Sequence, residues 1–110
     1  MASKALMDPG KLGAQLARLS DENARLAVLR RNPQLRDPAV VEFLYEEVVR
    51  LVRANVRQAD RLAQAAHWIA NKLADDFCRA QAWRAAGHVQ MARGQYNDAL
   101  RSYEKALVEG

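Results

Sequence analysis

The sequence predicts an all-α protein made of antiparallel helical hairpins, and three observations support this prediction. Glycine and proline are scarce, at 5 and 3 of 110 residues, which leaves too few turn residues for a β-sandwich. From Pro38 onward, apolar residues recur at intervals of three and four, the spacing that places one stripe along an α-helix. Residues that begin or end helices, such as Asp37 before Pro38 and Gly94, stand between these stripes.

Composition and charge narrow the class of protein. Half of the residues are hydrophobic but only 6% are aromatic, so alanine and leucine must form most of the core. No apolar run reaches the roughly 18 residues of a membrane span, residues 1–10 do not resemble a secretory signal, and the single Cys78 has no internal disulfide partner. We therefore expect a cytoplasmic location. Residues 1–55 and 56–110 each carry a net charge of +2, and this even distribution does not favour nucleic-acid binding.

Residues 1–37 are predicted to form an N-terminal helical segment. Asp8 and Pro9 have the pattern of a helix start, and Asn32 before Pro33 marks the end of the segment. Apolar residues follow at heptad-like spacing, with Asn23 in the same register: Leu12, Leu16, Leu19 and Leu26. Two interpretations remain open, namely one or two amphipathic helices packed on the rest of the domain, broken at residues 20–21, or a short coiled coil.

Residues 38–110 are predicted to form two helical hairpins. Their four helices run from about Pro38 to Arg53, from Val56 to Leu73, from the acidic pair at 75–76 to Gly94, and from about Tyr96 onward. The acidic pair is interpreted as a helix cap rather than as a catalytic pair, because carboxylates at this position accept hydrogen bonds from the first turn.

The second hairpin resembles one tetratricopeptide repeat. Seven residues stand at the spacings of that family's pattern: Trp83, Gly87, Gly94, Tyr96, Ala99, Tyr103 and Ala106. Two positions depart from it, since Ala86 and Gln90 replace a leucine and a tyrosine. In this family Trp83 would be a core residue, Gly87 and Ala99 would lie where the two helices cross, and Tyr96 would pack at the turn. An offset of 40 residues places a degenerate first repeat over residues 40–73.

The resemblance implies a short solenoid whose first helices line a peptide-binding groove. In the second repeat the groove residues would be Gln81, Arg84, His88 and Met91. In the first repeat they would be Val41, Leu44, Val48 and Leu51, all apolar, so we expect the N-terminal helices to fill that end. Arg84 and His88 are one helical turn apart, and both can donate hydrogen bonds to an acidic or C-terminal peptide.

A second resemblance concerns two short stretches, Asp21–Leu26 and Arg93–Tyr96. Their sequences are similar to those of the N-terminal repeat regions of large bacterial proteins that end in a caspase-like (CHAT-type) protease domain. This resemblance implies that the chain is the front of a longer array.

Residues suited to catalysis or metal binding are few. Cys78 and His88 lie ten residues apart on one predicted helix, about 15 Å of rise, so they cannot form a catalytic pair, and Cys78 could meet His67 only across a turn. No metal-ligand spacing and no phosphate-binding glycine motif occurs. We therefore expect neither enzymatic activity nor a cofactor.

These observations predict a protein–protein interaction scaffold. Its partner would be a protein or peptide, and the C-terminal helix, with Leu100, Leu107 and Val108, could also join two copies as a homodimer. Trp68 lies off the main stripe of its helix and is expected either to pack on the N-terminal helices or to contact a partner. The alternatives are a regulatory or oligomerisation region of a larger enzyme and, as a lesser one, a basic helical nucleic-acid-binding domain.

Overall fold

A computed structural model of the chain describes residues 9–109 and confirms the all-α prediction. Those residues form six α-helices and one short 3-10 helix at Pro33–Leu35, and no strand occurs among them. The α-helices are α1 (Pro9–Arg18), α2 (Glu22–Arg31), α3 (Pro38–Leu51), α4 (Val56–Leu73), α5 (Asp76–Ala92) and α6 (Tyr96–Glu109).

Polar side chains begin three of these helices where the sequence indicates a start. Asp37 accepts a hydrogen bond from the Ala39 amide at 2.9 Å, and Asn55 and Asp75 accept bonds from amides three residues ahead. Each satisfies a donor that the first helical turn leaves free. These starts depend on local chemistry, which explains why the sequence alone located them.

Helix α5 ends at Gly94, as predicted, in a left-handed turn. Gly94 has φ +76°, its amide donates to the Met91 carbonyl at 3.1 Å, and the Gln95 amide donates to the Gln90 carbonyl at 2.8 Å. This pair of bonds is the Schellman arrangement, which favours glycine because a Cβ opposes positive φ. The turn sends the chain back along α5 as α6.

The N-terminal segment is two helices rather than one continuous coiled-coil helix. The chain breaks between Arg18 and Glu22, and Asp21 accepts a bond from the Asn23 amide at 3.1 Å. The guanidinium of buried Arg25 donates to the Leu19 carbonyl, and that of Arg61 donates to the Ala17 carbonyl, both at 2.6 Å. These bonds satisfy carbonyls at the end of α1 and tie it to α2 and α4. The expected cap residue Asp8 lies outside the described residues.

Contacts between side chains define the directions of the four later helices. Along α4 and α5, His67 meets Trp83 and Asp60 meets Arg93, so these helices are antiparallel. Tyr45 of α3 meets both Arg84 and His88 of α5, and Asp37, just before α3, acts electrostatically on Cys78 near the start of α5. These two helices are therefore parallel.

Two hairpins, α3–α4 and α5–α6, follow from these directions. Helix α5 begins at residue 76 and α3 at residue 38, an offset of 38 residues, while α6 begins at 96 and α4 at 56, an offset of 40. Helix α5 packs against both α3 and α4, and α6 packs chiefly against α5. The hairpins are therefore related by nearly the offset that the sequence suggested.

One hydrophobic core joins the N-terminal segment to the first hairpin. Leu12 and Leu16 of α1 are buried together with Val41, Leu44 and Val48 of α3, and α1 contacts both α3 and α4. The apolar stripe of the first hairpin is thus covered, as expected. Alanines fill much of the remaining core, which lets the helix axes approach: Ala59, Ala63, Ala65, Ala66, Ala70, Ala82 and Ala85.

We expect Ala74→Gly to stabilise the protein by about 1 kcal/mol, because a left-handed backbone costs an L-residue about that much. Ala74 ends α4 with φ 54° and ψ 38°, and its side chain is exposed. The free energy of unfolding in urea measures the effect. The matched control is Ala14→Gly at an exposed position inside α1, which should lose about 1 kcal/mol. A loss of stability at both sites would contradict the left-handed assignment.

Candidate protein-interaction site

An open groove of about 460 Å³ runs between α5 and α6. Its lining is mostly apolar: Phe77, Ala80, Arg84, Tyr103, Ala106 and Leu107. Phe77 is 61% exposed and Leu107 is 80% exposed. Large apolar side chains this exposed, placed side by side around a concavity, are characteristic of interaction sites rather than of ordinary surface.

Small residues hold the two walls of the groove close together. Ala99, Ser102 and Ala106 of α6 are buried, and the face they share is the one packed on α5. Gly87 of α5 lies under the ring of Tyr103, where an added Cβ would come within 2.5 Å of the Tyr103 Cε1 atom. The close approach of the helices therefore depends on the absence of a side chain at Gly87.

Arg84 places a positive charge on the wall of this groove. Its side chain is exposed, with the guanidinium carbon 5.4 Å from the centre of the Tyr45 ring. Among residues 9–109 Arg84 has no ion-pair partner, whereas the guanidinium of Arg79 pairs with both Asp76 and Glu109. The guanidinium of Arg84 is thus oriented by an aromatic face and available to a carboxylate.

His88 joins three helices instead of facing a ligand. Its Nε2 atom is 3.1 Å from the Tyr45 hydroxyl and its Nδ1 atom is 2.8 Å from the Tyr103 hydroxyl. Burial, assisted by the charge of Arg84, lowers the pKa of His88, and burial raises the pKa of Tyr103. At neutral pH an uncharged imidazole donates to one hydroxyl and accepts from the other. Both ring nitrogens are occupied, so the peptide contact predicted for His88 would require breaking this cross-link.

The other two predicted groove residues also have different environments. Gln81 is buried, at 8% exposure, and its Oε1 atom has no hydrogen-bond partner within the described part of the chain. Met91 is 42% exposed. Helical spacing placed all four side chains on one face, but neighbouring α3 covers part of that face, so Arg84 and Met91 are the two that remain accessible.

Two residues of the repeat signature are less buried than the resemblance implied. Trp83 is half-buried, with its ring 4.5 Å from the ring of His67 and 4.3 Å from the ammonium of Lys105. Tyr96, expected to pack at the turn, is 61% exposed. Gly87, Ala99 and Ala106 are buried at the contact between α5 and α6, whereas Tyr103 is half-buried there.

Nucleophilic and metal-binding groups do not assemble at this groove. Cys78 is fully buried, and burial, followed by the charge of Asp75, raises the pKa of its thiol to about 11, so it is protonated at neutral pH. Within residues 9–109 no group of three or more His, Cys, Asp or Glu side chains could hold a metal ion, and no helix is long and apolar enough to cross a membrane.

Trp68 lies against the N-terminal helices, the first of the two environments expected for it. It lines a small cavity of about 120 Å³ together with residues of α2, including Arg25 and Leu29. The charged groups of Arg36 and Lys72 lie 5.5 and 5.2 Å from the centre of its ring. Its aromatic surface is therefore engaged within the fold.

Sequence reasoning named Leu107 as a possible homodimer contact but did not identify Phe77 as a lining residue of a site. Phe77 was treated as part of an apolar helix stripe, which usually faces a core. One signal was available in α6, where large residues recur at 96, 100, 103 and 107 and small ones at 99, 102 and 106. Two apolar faces on one terminal helix exceed what a single neighbouring helix can cover.

Acidification is expected to destabilise the protein between pH 7 and about pH 5 through its two histidines. Burial lowers the pKa of both His67 and His88 below 6.5, helped by Lys105 and Arg84 respectively. The unfolded state therefore binds more protons than the folded state, so stability is complete above pH 6.5 and falls as the pH drops toward the folded-state pKa values. Unfolding free energies across this range measure the loss. The variant with both His67→Gln and His88→Gln should show a flatter profile, and an unchanged slope would contradict the assignment.

Comparison of this chain with protein-family models, with curated proteins and with solved structures found no match. The fold and the groove together define the class of the molecule as an all-α protein of helical hairpins with an apolar groove open on its second hairpin.

Proposed function

We propose that this chain is a protein–protein interaction module whose α5–α6 groove receives an α-helix of another chain. The observation that carries the proposal is the combination of exposed Phe77 and Leu107 with the unpaired guanidinium of Arg84 on the same groove, within the described residues 9–109. A fitting ligand would present apolar side chains to the groove and a carboxylate to Arg84. This agrees with the acidic ligand expected from the sequence.

In the first hairpin, a helix of this same chain already occupies the position equivalent to the groove. Each residue lining the groove has a counterpart 40 positions earlier in the chain, in the same order: Asp37, Val40, Leu44, Ala63, Ala66 and His67. Helix α5 packs across this region, because it contacts both α3 and α4 and its Trp83 meets His67. Leu44, Ala63 and Ala66 are accordingly at most 4% exposed.

The same positions of the second hairpin lack such a cover within residues 9–109. Leu107 is 80% exposed, whereas its counterpart His67 is half-buried and contacts Trp83 of α5. A helix whose apolar residues follow the 4-3-4 spacing of Cys78, Ala82, Ala85 and Val89 in α5 would fill an equivalent groove. We place this activity in the cytoplasm, because a single reduced and buried thiol is typical of that compartment.

A library of helical peptides displayed on phage tests the function directly. Selection on the folded protein should enrich peptides that carry an apolar stripe and a flanking Asp or Glu. Phe77→Ala and Arg84→Ala should each weaken binding of a selected peptide, measured by fluorescence anisotropy, at least about tenfold. Val49→Ala, at an apolar residue 48% exposed on α3, is the control and should leave the affinity unchanged. Failure to enrich any binder, or equal affinities for all four proteins, would contradict the proposal.

A further inference from the structure

Exposed apolar surface is concentrated on the second hairpin. Seven large hydrophobic residues are exposed within residues 9–109, and Val49 alone lies outside the α5–α6 hairpin. The other six are Phe77, Met91, Tyr96, Leu100, Leu107 and Val108. Val108 lines a separate groove beside Trp83, but the uneven distribution still indicates that the second hairpin carries the interaction surface.

Helix α6 carries a ridge beside the groove, formed by Tyr96, Leu100, Tyr103 and Leu107. The 4-3-4 spacing of these residues places them along one face, and the sequence between Tyr96 and Leu107 spans about 16 Å of helix. The helix buries its small residues against α5, whereas Leu100 is 58% exposed. Repeats of this spacing form the seam between paired helices.

Ridge and groove share residues, since Tyr103 and Leu107 belong to both. A surface that holds a ridge next to a groove is self-complementary about a two-fold axis, because the ridge of each copy packs into the groove of the other. Building on the proposed function, we propose that the helix received by the α5–α6 groove is α6 of a second copy of this chain. The two-fold axis runs along the groove, so the two α6 helices lie parallel, with Leu100, Tyr103 and Leu107 of each copy facing the same residues of the other.

Charges on the two sides of this interface are complementary. In this arrangement the partner's α5 packs on one flank of the partner's α6. The opposite flank of the partner's α6 therefore lies against α5 of the first copy. Glu104 follows Tyr103 on that opposite flank, away from Ala99, Ser102 and Ala106. Within residues 9–109 neither Arg84 nor Glu104 has an ion-pair partner. The two-fold axis brings Arg84 of each copy to Glu104 of the other, making two equal ion pairs.

The available area suits a reversible dimer. The ridge and groove expose only a few large apolar side chains, chiefly Phe77, Tyr96, Leu100 and Leu107, far fewer than the roughly 20–30 residues per side of a standard interface. We therefore expect monomer and dimer to exchange, with the mass depending on concentration.

Analytical ultracentrifugation over a wide concentration range tests the proposal with the full chain. The mass should rise from one to two chains as the concentration increases, and Leu107→Lys should keep it at one chain. Val49→Lys is the control for an added lysine at an exposed apolar site and should dimerise normally. A wild-type protein that stays monomeric at the highest concentration would overturn the proposal.

Charge reversal tests the pairing itself. Arg84→Glu sets two carboxylates against each other at both contacts, and Glu104→Arg sets two guanidinium groups against each other there. Each variant alone should therefore dimerise at least about tenfold more weakly than the wild type. An equimolar mixture of the two variants should form mixed dimers that contain one copy of each.

The mixed dimer has two contacts between charged residues. At one contact the carboxylate introduced by Arg84→Glu meets the guanidinium introduced by Glu104→Arg, and at the other the unchanged Arg84 of one copy meets the unchanged Glu104 of its partner. Both contacts again join opposite charges, so the mixture should dimerise as well as the wild type. Circular dichroism confirms that each variant is folded. A mixture as weak as its components would overturn the proposed arrangement.

Binding of the selected peptide, compared with dimer formation, distinguishes failure of this inference from failure of the proposed function. If the peptide binds the groove and the protein is always monomeric, the groove serves a different protein, and the second copy is rejected while the function stands. If the peptide also dissociates the dimer, both statements hold. If no peptide binds and no dimer forms, both are rejected.

Discussion

Gly87→Ala is expected to destabilise the protein by about 2 kcal/mol, because overpacking a close contact costs about 1–3 kcal/mol. The new Cβ would lie 2.5, 2.8 and 2.9 Å from three atoms of the Tyr103 ring. The ring cannot swing aside freely, since its hydroxyl is bonded to His88 at 2.8 Å. The free energy of unfolding in urea gives the magnitude, and loss of the groove should accompany it.

The same substitution should have the opposite sign when the ring is absent. In a Tyr103→Ala background, Gly87→Ala should stabilise the protein by about 1 kcal/mol, because alanine exceeds glycine in helix propensity by that amount. This double-mutant cycle separates the contact from any general intolerance of Gly87. Destabilisation of equal size in both backgrounds would show that the ring of Tyr103 is not the obstacle.

Leu44→Ala is expected to lower the free energy of unfolding by about 2–5 kcal/mol, the usual cost of a large cavity in a core. Leu44 is fully buried in the core cluster, under the cover of neighbouring helices. It is also the counterpart, 40 residues earlier, of Arg84 on the open groove. The prediction therefore measures how firmly the first hairpin is covered.

Leu100→Ala is the matched control, because it removes the same atoms from a residue that is 58% exposed. It should change the stability of the monomer by less than about 1 kcal/mol, measured at a concentration low enough to keep the chains apart. Equal losses at Leu44 and Leu100 would contradict the distinction between the covered and the open hairpin.

Helix type and position could be predicted from the sequence because their determinants are local. Asp37, Asn55 and Asp75 bond to amides two or three residues ahead, and Gly94 adopts its positive φ at the end of its own helix. Such interactions depend on neighbours in the chain. The two hairpins and their offset near 40 residues were predicted from the repeated apolar stripes, whereas the break between α1 and α2 was one of the interpretations left open.

The candidate site could be predicted only in part. Arg84 was predicted to line a groove formed by the first helices of the two repeats, and it lies instead on the wall of the groove between α5 and α6. His88 stands one turn away and was expected to share that role, but Tyr45 arrives from a helix 43 residues earlier and binds its Nε2 atom. Gln81 likewise became buried. Nothing in the spacing of these residues distinguishes a face that solvent reaches from one that another helix covers.

The sequence by itself therefore determined the all-α class, the approximate helix boundaries from Pro38 onward and the pairing of helices into hairpins. Tertiary structure alone decided which helix covers each apolar stripe and which residues line the open groove. Leu44 and Leu107 both belong to regular apolar stripes, yet one is 0% and the other 80% exposed. The reason is that burial depends on which elements distant in the chain pack over a face: α5 lies across the first hairpin, and within residues 9–109 no helix lies in the same way across the second.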